Sequence, residues 1–171
     1  MKMILETNRL YLREMDMNDI PDLSKILQDP EVMYAYEHAF SDEEVIGWYN
    51  QQVERYKKDG HGLWAVILKE TNAFIGQCGL TIQTVDGDEL LEVGYLFNKN
   101  YWHQGYATEA AAACKTYAFE KLGAKKVCSI IRTNNRASQK VAERNGMKIV
   151  KETIKHYYNM EMPHYIYEVS T

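Results

Sequence analysis

The pattern of hydrophobic and polar positions divides the first half of the chain into two helices and three strands. Apolar residues at helical spacing predict one helix from Asn18 or Asp19 to Gln28. A capping box that begins at Ser41 predicts a second helix, which ends at Asp59-Gly60. Three strand-like runs with short polar turns between them follow, at residues 63–68, 73–83 and 89–97. This order predicts an antiparallel meander after the two helices.

The second half of the chain returns to helical spacing and then to short strands. Small residues such as Ala110, Cys114 and Ala118 predict a helix that lies close to a sheet and ends at Gly123. After it we predict a strand at 126–131, a helix at 137–145, and strands at 148–158 and 164–169, in addition to an opening strand at 10–13.

Together these elements predict an α+β (α/β) fold in one domain that spans residues 1–171. The expected sheet is mixed but mostly antiparallel, has six to seven strands, and is flanked by about four helices. Strands before and after the long helix imply one right-handed crossover. We expect a ligand crevice where these two strands, the fourth and the fifth, splay apart at their carboxyl ends.

Composition narrows the classes of function. A chain of 171 residues with 46% hydrophobic content is long enough for one full core. The formal net charge of −4, without a long basic run, argues against nucleic acid as the main ligand. The amino terminus becomes polar too soon for a signal peptide, and no stretch is apolar enough to span a membrane. We therefore expect a cytoplasmic protein that does not act at a membrane.

The cysteines and histidines lack the spacing of a metal or redox site. Cys78, Cys114 and Cys128 are odd in number and far apart, so we expect buried thiols without a disulfide framework. The five histidines are not at metal-ligand spacing to one another or to these cysteines. We expect no metal.

Residues 92–112 are the most informative segment, because they combine a strand, a glycine-marked loop and a helix. Such a junction directs free main-chain N–H groups and the positive end of the helix dipole at an anion. A structural strand-to-helix turn is the competing interpretation of Gly105. No Gly-Lys-Ser/Thr sequence follows this glycine, which argues against a nucleotide-binding P-loop.

Five motifs in the same order occur in a known family. They are Thr7-Asn8-Arg9-Leu10-Tyr11-Leu12-Arg13, Ile75-Gly76-Gln77-Cys78-Gly79-Leu80, Glu92-Val93-Gly94-Tyr95, the loop 102–107, and Asn135-Arg136-Ala137-Ser138 ahead of Asn145-Gly146-Met147. Over nearly its whole length the chain resembles the GNAT acyl-CoA N-acyltransferases. Within that family it is more similar to the ribosomal-protein N-acetyltransferases of the RimJ/RimL type. The resemblance implies the GNAT fold and acetyl-CoA as co-substrate.

The resemblance also implies how the co-substrate is bound. The family's loop pattern is Gln/Arg-x-x-Gly-x-Gly/Ala, and Trp102 stands here where the Gln or Arg is expected. Main-chain N–H groups would hold the CoA pyrophosphate, and they belong to His103, Gln104, Gly105, Tyr106, Ala107 and Thr108. Asn135 and Ser138 match the family's Asn-x-x-Ser, in which the Asn contacts the pantetheine arm. Asn135 is equally suited to cap the helix that follows it, and the two roles are compatible.

For catalysis, the resemblance implies a β-bulge in the fourth strand, where main-chain N–H groups of Leu96 and Phe97 would bind the thioester oxygen. Glu92 is the candidate general base, although a strand glutamate is also often solvated or paired. Ala142 stands where many relatives carry a Tyr that acts as the general acid. We therefore consider Ser138 as the general acid, with Tyr157 or Tyr158 as alternatives, and a thiolate can also leave unprotonated.

The expected reaction moves an acetyl group from acetyl-CoA to a primary amine by direct attack in a ternary complex. The acceptor is a protein amino terminus or a small-molecule amine; a non-catalytic acyl-CoA-binding or regulatory module is the alternative. Residues 31–40 occupy the family's variable acceptor lid. The opposite wall would be formed by Tyr157, Tyr158, His164, Tyr165 and Tyr167, unless these rings are core or dimer contacts. The resemblance is compatible with a monomer or a homodimer.

Overall fold

The computed structural model describes residues 3–36, 38–157 and 160–171. In this part of the chain, eight strands form one sheet: β1 (Met3–Glu6), β2 (Leu10–Arg13), β3 (Leu63–Leu68), β4 (Ala73–Val85), β5 (Asp88–Phe97), β6 (Lys126–Arg132), β7 (Lys148–Tyr157) and β8 (Met160–Ser170). Four α-helices accompany them: α1 (Ile20–Leu27), α2 (Asp42–Lys58), α3 (Tyr106–Glu120) and α4 (Arg136–Arg144). Short 3-10 helices lie at Met17–Asp19, Met33–Tyr36 and Lys99–Tyr101.

The strand order is β1-β2-β3-β4-β5-β6-β8-β7, and every neighbouring pair except β5 and β6 is antiparallel. Helix α3 forms the crossover between the parallel strands β5 and β6. These two strands share one register pair, Glu92 with Cys128, and diverge beyond it. The predicted mixed sheet, its crossover and the splay are confirmed.

The helices cover the two faces of the sheet separately. On one face, buried side chains of α1 and α2, such as Leu23 and Val45, pack on Ala65 and Ile67 of β3. On the other face, the small residues of α3 pack with Trp64 and with residues of α4. Because alternate residues of a strand point to opposite faces, β3 is buried along its whole length and serves both cores.

The predicted capping box at Ser41 lies at the start of α2. Ser41 Oγ accepts the Glu44 N–H at 3.2 Å, and Glu44 Oε1 accepts the Ser41 N–H at 3.0 Å, so the two hydrogen bonds of the capping box are both present.

All three cysteines are buried free thiols, with Cys78 Sγ 3.7 Å from Cys114 Sγ. In the described segments, no helix has both the length and the apolar character to cross a bilayer.

Two strands differ from the prediction by more than two residues. The sheet has eight strands because Met3–Glu6 pairs with β2 at the sheet edge, and four residues without clear alternation give little pattern to detect. Strand β8 begins at Met160, ahead of Pro163, where we expected a strand to start only after the proline. The Pro163 carbonyl accepts the Thr133 N–H. Because the nitrogen and the carbonyl of a strand residue point to the same neighbouring strand, the Pro163 nitrogen also points towards β6, which ends one residue earlier, at Arg132. No N–H is needed there.

The expected bulge in β5 is absent from its pairing with β4. Ten consecutive register pairs run without a shift from Gly76 and Phe97 to Val85 and Asp88. Free main-chain groups arise instead because β6 turns away from β5. The divergence of two strands therefore replaces an extra residue as the source of unpaired N–H groups.

Candidate functional site

Two cavities open on either side of the point where β5 and β6 diverge. The larger, of about 880 Å³, is called here the loop groove; it lies between the end of β5, the loop 102–108 and α4. The smaller, of about 350 Å³, is called the inner cavity; it lies between α2, β5, β6 and the last hairpin. The walls of both include Tyr95, Leu96, Asn135 and Ser138. These four residues therefore form the boundary across which a chemical group could pass from a ligand in one cavity to a ligand in the other.

The loop that leads into α3 has the geometry of an anion site. His103 (φ 64°) and Gly105 (φ 81°) both adopt left-handed conformations, and Gly105 is the N-cap of α3. The first helical bond runs from the Glu109 N–H to the Gly105 carbonyl at 3.0 Å. Within the described residues, none of the main-chain N–H groups from His103 to Thr108 donates to a protein group. Six donors at a helix N-terminus remain available to an anion.

Side chains from the start of the chain hold this loop in place. The Arg9 guanidinium donates to Glu109 Oε1 at 2.8 Å and to the Gln104 carbonyl at 2.9 Å, and lies 4.3 Å from the centre of the Tyr106 ring. Thr7 Oγ1 donates to Glu109 Oε2 at 2.6 Å. Burial would raise the pKa of Glu109, but these hydrogen bonds outweigh it and lower the pKa. The amino-terminal motif thus braces the loop, a role that sequence reasoning missed.

Trp102 also has a structural role that the sequence did not reveal. Its indole Nε1 donates to the Phe97 carbonyl at 2.9 Å, which ties the loop to the last residue of β5. The half-buried ring packs against both cores. An aromatic side chain at this position therefore fixes the loop from the protein side and leaves the main-chain donors unobstructed.

Asn135 is the N-cap of α4, as one of the two interpretations predicted. Its Oδ1 accepts the Ser138 N–H at 3.3 Å and the Tyr34 hydroxyl at 2.8 Å. Its Nδ2 makes no hydrogen bond to the described residues and remains available to a ligand. The Tyr34 contact also attaches the segment 31–40 to the boundary between the cavities, because Tyr34 lines the loop groove and Tyr36 lines the inner cavity.

The direction of the main-chain groups in β5 distinguishes Leu96 from Phe97. The Val93 carbonyl accepts a hydrogen bond from Ser129 Oγ of β6 at 2.7 Å, so odd-numbered residues of β5 face β6. The Leu96 N–H therefore points to β4, where Leu96 pairs with Gln77. The Phe97 N–H points into the gap between β5 and β6. Of the two expected oxyanion donors, Phe97 has the required direction and Leu96 has not.

Glu92 lies at the last point of contact between β5 and β6. Its Oε2 accepts the Ile130 N–H at 2.7 Å, which links the two strands where they begin to separate. Its Oε1 accepts no hydrogen bond from the described residues, and the carboxyl group lines the inner cavity. Burial raises the pKa of Glu92, opposed by the Ile130 hydrogen bond and by the charges of Lys155 and Arg55. One carboxylate oxygen of Glu92 is therefore hydrogen-bonded to β6, and the other is available to a ligand in the inner cavity.

Ser138 and Tyr95 meet at the boundary. The Tyr95 hydroxyl donates to the Ser138 carbonyl at 2.7 Å, and burial raises the pKa of Tyr95 well above its usual value. Ala142, at the position where the family resemblance led us to expect a tyrosine, is buried in the core and offers no acid. Sequence reasoning did not single out Tyr95.

Other predicted residues are divided between the two cavities and the core. Of the five residues expected to form the opposite wall, His164 lines the inner cavity, whereas Tyr167 is buried in the core and Tyr165 packs against it. Tyr158 and the Tyr157 side chain lie outside the described residues. The cations that line the loop groove are Lys140 and Arg144 on α4. Among the described residues, no three His, Cys, Asp or Glu side chains cluster as a metal site would require.

Comparison with known proteins accounts for this arrangement. Residues 9–148 match the family described as "Acetyltransferase (GNAT) domain". The chain belongs to the GNAT acetyltransferase family. This GNAT protein is therefore an acetyltransferase, and its family uses acetyl-CoA as the acetyl donor. The match includes the loop, Glu92 and Asn135, but stops at the first residue of β7 and so leaves out most of the last hairpin.

Individual relatives agree with the family assignment. The GNAT protein is 36% identical over 148 residues to "Uncharacterized protein YkkB" of Bacillus subtilis (strain 168), which covers 86% of each chain. It is 26% identical to an acetyltransferase from Agrobacterium tumefaciens str. C58, with a TM-score of 0.84 over 100% of this chain and 95% of that one. RimL, a ribosomal L7/L12 α-N-protein acetyltransferase solved with coenzyme A, shares the fold at a TM-score of 0.79 and 16% identity, with 99% and 98% coverage.

Proposed function

We propose that this protein transfers an acetyl group from acetyl-CoA, bound in the loop groove, to a primary amine bound in the inner cavity. The observation that carries the proposal is the boundary formed by Tyr95, Leu96, Asn135 and Ser138. On one side of it lie six free main-chain N–H donors, and on the other lies the open oxygen of Glu92. Donor and acceptor sites that share a wall are what direct transfer in a ternary complex requires.

The loop groove supplies the groups that acetyl-CoA needs. The donors from His103 to Thr108 suit the pyrophosphate, and Lys140 and Arg144 add positive charge on the opposite wall. Asn135 Nδ2, which makes no hydrogen bond to the described residues, would donate to the pantetheine arm, as the family motif implies. RimL, which has the same fold, has been solved in complex with coenzyme A, and this supports coenzyme A as the ligand.

The chemical step balances with residues of this chain. The neutral amine attacks the thioester carbon, a C–N bond forms, the C–S bond breaks, and CoA leaves as a thiolate. The Phe97 N–H is the proposed donor to the developing oxyanion, and Glu92 Oε1 accepts the proton that the amine loses. Ser138 remains the proposed general acid. Its action is not essential, because a thiol has a pKa of about 8.5 and its thiolate leaves readily.

The acceptor is proposed to be a protein amino terminus or a small-molecule amine, with the RimJ/RimL branch as the nearest type. The test is release of free CoA thiol from acetyl-CoA in the presence of peptides and amines, with the acetylated product identified by mass spectrometry. We expect acceptor-dependent release that is much slower in Glu92→Gln. Acetyl-CoA binding with only background hydrolysis for every acceptor would instead favour the non-catalytic module.

A further inference from the structure

The charged residues that line the inner cavity are mainly cationic, in contrast to the protein as a whole. The full chain carries a formal net charge of −4. Among the described residues that line the cavity, however, Arg55, Arg132 and Lys155 are cationic and Glu92 is the one carboxylate. His164 donates from Nδ1 to the Met162 carbonyl, and burial lowers its pKa, which favours the neutral ring. Arg132 and Lys155 have interaction partners of their own, so Arg55 is the cation to consider as the binding group for a negatively charged acceptor.

Arg55 is the cation whose contacts most clearly call for an anionic ligand. It lies on α2, is half-buried, and its Nη1 donates to the neutral Gln52 Oε1 at 3.2 Å. No described carboxylate lies within ion-pair distance of it, and its Nε and Nη2 donors bond to none of the described residues. The charges of Glu92 and Asp59 act on this guanidinium from beyond ion-pair distance. Part of the cost of its burial therefore remains, and an anion in the cavity would offset it.

Arg55 is also fixed and correctly placed relative to the proposed base. Gln52, which is completely buried, accepts both the Leu63 N–H at 3.1 Å and the Arg55 guanidinium through the same oxygen. Arg55 is close enough to Glu92 for its charge to lower the pKa of that carboxyl. A molecule with an amine at Glu92 and an anion at Arg55 would therefore span a short distance.

The remaining wall is aromatic and the space is small. Trp48 packs edge-on against Tyr36 and Phe40, with ring centres 6.0 and 5.7 Å apart, and all three rings line the cavity. A volume of about 350 Å³ lies at the lower end of the range for small-molecule sites. These dimensions favour an amino-acid-sized molecule over a peptide segment.

We propose that the acceptor is a small amine that carries a carboxylate and an apolar side chain, with Arg55 as the residue that binds the carboxylate. This inference rests on the proposed acetyl transfer and names its substrate class. The carboxylate takes no part in the chemistry. It positions the amine beside Glu92 while the C–N bond forms and the C–S bond breaks.

The test compares matched acceptors, L-phenylalanine with L-phenylalaninamide and L-leucine with L-leucinamide, in the original protein and in Arg55→Gln. We expect Arg55→Gln to lower kcat/KM by about 10- to 100-fold for each acid and to change it less than about twofold for each amide. Comparing variants cancels the different basicities of the amines and any effect of Arg55 on Glu92. Lys57→Gln, at an exposed position of the same helix, is the matched control and should change neither value.

Binding without turnover separates this inference from the proposed function. In the presence of CoA, calorimetry should show N-acetyl-L-phenylalanine binding more tightly than its amide, and Arg55→Gln should abolish the difference. Binding of this kind without any acetyl transfer would overturn the proposed function alone. Transfer to amides or to peptides as efficient as to amino acids, or an equal effect of Arg55→Gln on acids and amides, would overturn this inference alone.

Discussion

Replacing Gly105 by Ala tests whether the main-chain geometry of the loop holds the cofactor. Gly105 has φ 81°, and an added Cβ would lie 3.3 Å from Arg9 Nη2. A left-handed conformation costs a residue with a Cβ about 1–2 kcal/mol. Arg9 also donates to the carbonyl of Gln104 next to it, so a shift of this guanidinium would disturb the bracing of the loop. The substitution should thus act on both stability and binding.

Gly123→Ala is the matched control. Gly123 follows the same helix at its other end, has φ 69°, and nothing lies within 4 Å of its added Cβ. Both variants should lose about 1–2 kcal/mol of unfolding free energy, which corresponds to about 2–4 °C in Tm per kcal/mol for a protein of this size. Only Gly105→Ala should also weaken CoA binding, by about 10- to 100-fold, because re-orienting the loop removes one or two charge-assisted hydrogen bonds.

The assay is calorimetric titration with CoA, together with thermal unfolding of each variant without ligand. Equal CoA affinities in Gly105→Ala and Gly123→Ala would refute the conclusion that these main-chain donors bind the pyrophosphate. A lowered affinity in both variants would indicate a general loss of stability instead.

Three further substitutions test other parts of the site. Because burial raises the pKa of Glu92, the rate should fall as the pH drops through a value above that of an ordinary glutamate; Glu92→Gln should be slow and lack this limb in its pH-rate profile. Asn135→Ala removes the cap of α4 and the acceptor for Tyr34, and should lower unfolding free energy by about 1–2 kcal/mol while raising the KM for acetyl-CoA. Trp102→Phe removes the bond to the Phe97 carbonyl, and chemical denaturation should show a loss of about 1 kcal/mol with CoA still bound.

The pH dependence of stability has the opposite sign to that of the rate. A carboxyl whose pKa is raised in the folded state binds its proton more tightly there, so its contribution is lost as the pH rises from the unfolded to the folded pKa. The difference in unfolding free energy between the original protein and Glu92→Gln should therefore decline over that interval, because the carboxyls whose pKa values are lowered contribute equally to both proteins. Denaturant titrations at several pH values would check this, and identical slopes would contradict the buried carboxyl.

Local signals made most of the fold predictable from the sequence. The capping box at Ser41, the short polar turns between the strands and the glycine stops each act over a few residues, and the corresponding elements begin and end within three residues of the prediction. The failures are non-local. Met3–Glu6 is a strand only because it pairs with β2 at the edge of the sheet. Pro163 lies within a strand only because β6 ends one residue before the position opposite it.

The candidate site was predictable in its loop and much less so in its cavities. Gly105 carries a local conformational requirement, so its role could be anticipated. Arg55 is one of several cations near the end of α2, and nothing in the helical pattern separates it from Lys57 or Lys58. Its significance comes from its place in the wall of the inner cavity, which α2 shares with β5 and the last hairpin, elements that are far apart in the sequence. The same holds for Tyr34 and Asn135, which are separated by about a hundred residues.

The single register pair between β5 and β6 makes the sheet two blocks, β1–β5 and β6–β8, joined by α3 and by side-chain bonds such as those of Ser129 and Glu92. A molecule seated in the gap completes the connection, and its binding free energy adds to the free energy of unfolding. At a ligand concentration of one hundred times Kd, this contribution is about 2.7 kcal/mol. In the proposed function this molecule is acetyl-CoA. Resistance of the fold to proteolysis would then be coupled to the supply of acetyl donor, and depletion of the donor would shorten the lifetime of the enzyme as well as slow its reaction.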